Sequence, residues 1–247
     1  VGKKKLLKKK GGMHSHPSCF SVKRDGTVKG RMVYDGRKTR DWLTREDAMS
    51  PTAALESIFL TAVIEAKEGR DIMTCDIPNA FIQAEMPSIK EGQDRVIMKI
   101  TGVLVSLLTE INPNLFGPKV VFENGRPVVY VWVLKAIYGM IEAVLLWYKK
   151  FRKELETVGF VFNPYDPCVA NREVRGQQHT ILFHVDDLKS SHKEERANDE
   201  FLKWLNSKFG KFGKVTAKRG RIHDYQGMVL DYSKKRKVII QMKKYGE

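Results

Sequence analysis

Residues 180–192 read TILFHVDDLKSSH. TILFHV (180–185) is apolar and rich in β-formers, LKSSH (188–192) follows it, and Asp186-Asp187 lies between, so the stretch predicts a hairpin. Ionised carboxylates at the end of a buried strand need water or a counter-charge. One reading is a solvent-exposed turn, where Asp is ordinary. The other is a site for a divalent cation.

Moving outward, RDIMTCDI (70–77) reads as a strand that ends on a third acid, Asp76, and Ile77-Pro78-Asn79-Ala80-Phe81 follows it. Asp76 and Asp186 are 110 residues apart, yet they meet if their strands are neighbours in one sheet. Asp76, Asp186 and Asp187 would then offer hard oxygen ligands to Mg²⁺, which takes a few carboxylates together with substrate phosphates. Such a set suits two-metal phosphoryl transfer, with one ion at the attacking oxygen and one at the leaving oxygen. Asp at two strand ends is common, so spacing alone leaves both readings open.

The remaining pattern is mixed. SVKRDGTVKGRMVYDG (21–36) predicts two short strands around Asp25-Gly26. Ser50-Pro51 predicts the start of a helix closed by Gly69, with Leu55, Ile58, Phe59, Ala62, Val63 and Ala66 on one face. VIMKI (96–100) and VVYVWVL (128–134) are further strands, with an irregular stretch expected between them. Helices are predicted over 141–159, closed by Gly159, and over 194–210. HDYQGMVLDY and KVIIQM predict two closing strands. Together these elements indicate an α+β fold, an antiparallel sheet with helices packed on one face.

Composition narrows the class. The chain has 247 residues, 42% hydrophobic and 10% aromatic, which excludes wholesale disorder. Its three cysteines lack CxxC spacing, so neither a disulfide framework nor a zinc finger is expected, and a reducing, intracellular setting fits. The longest apolar run, residues 128–134, is far short of the ~20 residues of a spanning helix. No signal peptide and no membrane partner are expected. Net charge is +15, from 44 basic and 29 acidic side chains, so a polyanion is the natural partner. The excess is +9 over residues 1–50 and +9 over 207–247, around a middle of −3. Residues 1–19 are expected to form a flexible basic arm.

Several stretches carry a family resemblance. IMTCDIPNAFIQAEM, LKAIYGMIEAVLLWYKKF, FHVDDLKSS and HDYQGMVLDY resemble successive motifs of copia-type retrotransposon reverse transcriptases. RMVYDGRKTR resembles their basic fingers segment. The motifs stand in the family's order over nearly the whole chain outside the arm.

The resemblance implies a polymerase right hand, with fingers mainly over residues 20–70 and a palm, an antiparallel sheet backed by helices, mainly over 71–247. It implies RNA-directed DNA polymerase activity, in which a primer 3′-hydroxyl attacks the α-phosphate of a deoxynucleoside triphosphate. Asp76, Asp186, Asp187 and the carbonyl of Ile77 would hold two Mg²⁺ ions, with Mn²⁺ as a substitute. Lys29, Arg31, Arg37, Ala80, Phe81, Tyr138 and Gly139 would bind the nucleotide, with Phe81 selecting against a ribose 2′-hydroxyl. His184, Val185, Lys214, Lys218, Arg219, Arg221, Tyr225, Gly227 and Met228 would bind primer and template. An RNA or DNA template with primer and the other polyprotein domains, RNase H and integrase, are the implied partners. A cytoplasmic particle or the nucleus is the implied location.

Two positions depart from the family pattern. His184 stands where a Tyr is usual, and Ile141-Glu142 stands where Lys-Gln is usual. Both leave the three carboxylates in place. A catalytically decayed copy that only binds nucleic acid is the alternative expectation.

Overall fold

In a computed structural model of the chain, the hairpin forms where its sequence predicts. Strands Gln177–His184 and Asp187–His192 are antiparallel, with His184 opposite Asp187 and Thr180 opposite Ser191. The structure describes residues 13–15, 18–22, 26, 28–36, 43–87 and 96–242. The chain divides into two compact units, Val1–Met49 with Ala84–Leu146, and Ser50–Gln83 with Trp147–Glu247. They interleave in sequence. The reason is the helix Leu55–Glu68, whose buried side chains share a core with Ile72, Val169 and Leu182 of the second unit.

Among the described residues of the first unit, a four-stranded sheet runs in the order Met13–Ser15, Ile97–Thr101, Arg126–Trp132, Val121–Glu123. A separate hairpin, Ser18–Val22 with Val28–Met32, agrees with the two strands expected there. The stretch after residue 100 is ordered, contrary to expectation. It holds helices Val103–Ile111 and Pro113–Phe116 and the strand Val121–Glu123. Asn124 and Gly125 follow with φ of 50° and 74°, the two-residue turn that an Asn-Gly pair favours.

The second unit is built on a six-stranded antiparallel sheet. Its order is Thr216–Lys218, Asp71–Asp76, Asp187–His192, Gln177–His184, Val169–Val174, Val161–Phe162. Alternation sends Phe183, Ile181 and Leu188 to one face. There Phe183 meets Phe151 edge to face at 5.0 Å, and Phe151 in turn stacks on Trp147 at 5.4 Å. Helix Glu195–Phe209 adds Phe201, Leu205 and Phe209 to this layer. The opposite face is covered too, which corrects the one-sided expectation. Helix Leu55–Glu68 lies there with a second sheet of strands Ile222–Tyr225, Met228–Asp231 and Ile239–Met242. HDYQGMVLDY is therefore a hairpin and not a single strand, turning on Gln226 and Gly227 at φ of 49° and 74°.

Helix Leu55–Glu68 begins four residues after Pro51 because the preceding backbone is held elsewhere. Asp166 accepts a hydrogen bond from Ala54 N at 3.0 Å and keeps Ala54 extended. The helix ends at Gly69, with φ 66°. Its buried residues are Ile58, Thr61, Ala62, Glu65 and Ala66, whereas Leu55, Phe59 and Val63 are exposed. The apolar face predicted from periodicity is thus rotated, because the sheet presents an ammonium to the helix. Lys189 Nζ, fully buried, donates to Glu65 Oε1 at 2.6 Å, to Oε2 at 2.7 Å and to Thr61 Oγ1 at 3.0 Å. Tyr232 donates to the same carboxylate at 2.6 Å. A charge in a core needs such a partner.

Candidate active site

Strand Asp71–Asp76 is buried along its middle and emerges at Asp76. Strand Asp187–His192 runs antiparallel beside it, and Asp76 is the register partner of Asp187. Directly opposed residues of an antiparallel pair project to the same face, so the two acids share one sheet edge. Asp186 occupies the turn between Gln177–His184 and Asp187, and its carbonyl accepts from Ile77 N at 3.3 Å. The three sequence-predicted acids therefore come from two chain segments, 71–77 and 186–192, that hydrogen bonding holds together.

The turn is strained and clamped. Val185 has φ 58°, a left-handed value that a β-branched residue rarely adopts. Trp147 Nε1 donates to the Val185 carbonyl at 2.7 Å. On the other side, Gln226 Nε2 donates to Asp187 Oδ2 at 2.8 Å. The Asp187 carboxyl is held above the usual carboxylate range, first by burial and then by the charges of Asp186 and Asp76. His184 and the Gln226 hydrogen bond oppose that shift. Mutual repulsion of this kind is what a bound divalent cation would relieve, so the donor chemistry suits Mg²⁺. As the side chains stand, no three His, Cys, Asp or Glu groups among the described residues are gathered as metal ligands.

The segment after Asp76 is equally fixed. Asn79 takes φ 54° and donates from Nδ2 to Phe212 O at 3.1 Å. Gln83, buried, donates from Nε2 to Pro78 O at 3.1 Å and to Phe209 O at 3.0 Å. Between them, the short helix Ala80–Gln83 buries Ala80 and leaves Phe81 half-buried. Ile77 is buried. Sequence reading missed Trp147, Gln83 and Gln226 as supports, although all three lie inside the quoted motifs.

The other expected site residues fall differently. Tyr225 and Met228 are core side chains, 3% and 1% exposed, with the Tyr225 hydroxyl donating to Leu182 O at 3.2 Å. Gly227 lies in the hairpin turn, so that hairpin presents the turn, not those two side chains, to its surroundings. Arg219 is engaged by Asp71 and by Asp199, the latter at 2.7 Å. Lys218 pairs with Asp224 at 3.4 Å, Arg221 reaches Tyr232 O at 3.5 Å, and Lys214 is exposed.

In the first unit, Tyr138 O accepts from Tyr34 N at 2.7 Å. Gly139, at φ 88°, lies so close to that segment that a Cβ would stand 2.0 Å from Tyr34 O. The glycine therefore has a structural requirement independent of any ligand. Lys29 and Arg31 lie on the strand Val28–Met32. Arg37 lies outside the described residues.

Two strand-end acids, with a third in the adjoining turn, thus stand together at one end of an antiparallel sheet. No protein-family model matches the chain. It is 26% identical over 167 residues, 66% of its length, to the retrovirus-related Pol polyprotein from transposon RE2 of Arabidopsis thaliana. The corresponding polyprotein from transposon RE1 of the same plant is 26% identical over 168 residues. The chain spans about a tenth of the length of these relatives, 10% in each case. Among solved structures, telomerase from Candida albicans in complex with a fragment of telomeric RNA has TM-score 0.48 and 9% identity, over 98% of this chain and 48% of that one. The BmCPV RNA-dependent RNA polymerase at its elongation state has TM-score 0.40 and 10% identity, over 93% and 22%. The resemblance to retrotransposon Pol sequences is thus borne out.

Proposed function

We propose that the chain is the polymerase core of a retrotransposon Pol polyprotein, a reverse transcriptase that transfers nucleotidyl groups from deoxynucleoside triphosphates to a primer 3′-hydroxyl. The observation that supports this best is the register pairing of Asp76 with Asp187, with Asp186 in the adjoining turn. Asp76 is exposed and Asp187 is open to solvent on one side, so their side chains can turn toward a shared cation, with the carbonyl of Ile77 as a further oxygen ligand. Two Mg²⁺ ions bound there would lower the pKa of the attacking hydroxyl and neutralise charge on the leaving oxygen. The protein itself supplies position: Trp147 and Gln226 fix the turn and one carboxylate, and Gln83 fixes the backbone after Asp76. Phe81 would select against a ribose 2′-hydroxyl, and His184 and Val185 would face the primer end. Nucleotide contacts from Lys29, Arg31, Arg37, Tyr138 and Gly139 rest on sequence resemblance alone.

Primer extension on an RNA template with purified protein tests this reading. Wild type should extend in Mg²⁺ and Asp186→Asn should not; equal product from the two would refute catalysis. A second reading is a remnant that binds nucleic acid without turnover. The ungathered carboxylates and the departures at His184 and Glu142 favour it. Metal-dependent incorporation would sink it.

A further inference from the structure

A cavity of about 680 Å³ opens in the second unit where the helix Leu55–Glu68 ends. Six cationic side chains line it: Lys67, Arg70, Arg221, Lys234, Lys235 and Arg236. Two acids line it as well, and both have cationic partners. Glu65 is bound to buried Lys189 at 2.6 Å, and Glu68 to Arg70 at 2.9 Å. Asp231 feels the charge of Lys234, but its carboxylate is held first by Ser233. The lining therefore keeps a strong positive excess. Two parts of the lining are tied to the fold by hydrogen bonds. Arg70, 9% exposed, is anchored to Glu68 and to Thr180 Oγ1 at 2.9 Å. Lys234, Lys235 and Arg236 sit in the connection between strands Met228–Asp231 and Ile239–Met242, where Lys237 N closes a turn on Lys234 O at 3.1 Å. An adjoining cavity of about 430 Å³ shares Gly69, Arg70, Arg221 and Tyr232 with the first. Its own Arg219 is already neutralised by Asp71 and Asp199.

We propose that this cavity binds the phosphodiester backbone of nucleic acid, at a place separate from the carboxylate site. Asp71, which follows Arg70, begins the strand that Asp76 ends. At ~3.3 Å per residue the two places are roughly 17 Å apart, less than one ~34 Å duplex turn. A duplex is long enough to reach from one to the other, a point that rests on the polymerase reading above. Six cationic side chains around one opening favour a polymer over a single small anion, and arginine and lysine heads suit successive phosphates.

The test is binding of a fluorescent RNA–DNA hybrid by anisotropy over a range of salt, in EDTA, so that catalysis plays no part. Lys234→Ala/Lys235→Ala/Arg236→Ala should weaken binding at ~0.15 M salt by about 10–100-fold and flatten the log–log salt slope by roughly 2–3. All three side chains are exposed, so thermal unfolding should be unchanged. Lys149→Ala/Lys150→Ala/Lys153→Ala, which removes the same charge from another surface, should change the slope far less. Equal effects from the two triple variants would reduce the cavity to net charge and overturn the proposal. It would also be overturned if hybrid binding survived in the first variant while binding of inorganic tripolyphosphate or of an acidic peptide was lost. Absent extension with an intact variant effect would count against the polymerase reading and leave the cavity standing.

Discussion

The indole of Trp147 donates to the carbonyl of Val185 at 2.7 Å, across 38 residues of sequence. It holds a turn whose first central residue is forced to φ 58°, next to Asp186. Trp147→Phe keeps a ring against Phe151 but leaves that carbonyl without the indole. Urea unfolding should show a loss of about 1–2 kcal/mol, and primer extension should fall with it. Unchanged stability would mean that the hydrogen bond does not hold the turn.

Gln226 reaches the other side of the same site, with its amide on Asp187 Oδ2 at 2.8 Å. Gln226→Leu would free that carboxylate to rotate and remove a bond that favours its charged form. Mn²⁺ affinity, read by EPR titration, should weaken by about 10-fold, the low end for hydrogen-bond partners of ligands. Affinity equal to wild type would show that Asp187 needs no such support.

The hairpin and both strand ends were legible because alternation and the Asp-Asp pair are local signals. Their supports were not. Trp147 and Val185 are partners through tertiary structure, and nothing in the spacing of either residue announces it. The same holds for the face of the helix Leu55–Glu68. Periodicity favoured Phe59 and Val63, but Lys189, 124 residues away, draws Glu65 inward instead. A buried ion pair is invisible to hydropathy because it is built from residues that usually lie outside. Tyr225 and Met228 were legible as motif positions, yet their side chains belong to the core.

Gly139 offers a separate test in the first unit. A Cβ there would stand 2.0 Å from Tyr34 O, at φ 88°. Gly139→Ala should cost more than ~2 kcal/mol of stability, visible in thermal unfolding without any ligand. If the variant folded normally and lost only nucleotide binding, the glycine would serve ligand approach and not packing.

Lys189 and Glu65 should behave as a unit. Lys189→Met leaves the Glu65 carboxylate buried without its ammonium and with the Tyr232 hydroxyl still donating to it, a loss of about 3–5 kcal/mol. Adding Glu65→Gln should recover a large part of it, since an amide is cheaper to bury than an unpaired charge. Strictly additive losses in the double variant would show that the two groups are not coupled.

His179 sets a pH dependence of known sign. Its ring is buried against Phe160 and Phe201 at 5.3 Å. Nδ1 accepts from Arg172 at 3.3 Å, and Nε2 lies 2.8 Å from Ser190 Oγ, where it donates. Burial first, then the charges of Arg172 and His192, push its pKa down to about 3. In the unfolded chain it titrates near ~6.5. Above that value neither state takes the proton, so His179 contributes no slope. As the pH falls below it, the unfolded chain gains a proton that the folded ring refuses. Stability should then fall by ~1.4 kcal/mol per pH unit from this group alone. His179→Gln keeps polar atoms for Ser190 and removes the titration. The stability difference between wild type and variant, measured by urea unfolding, should be flat from pH ~7 to 8 and should shrink steadily from pH ~6.5 to 4. A difference constant across the whole range would place the ring in contact with water.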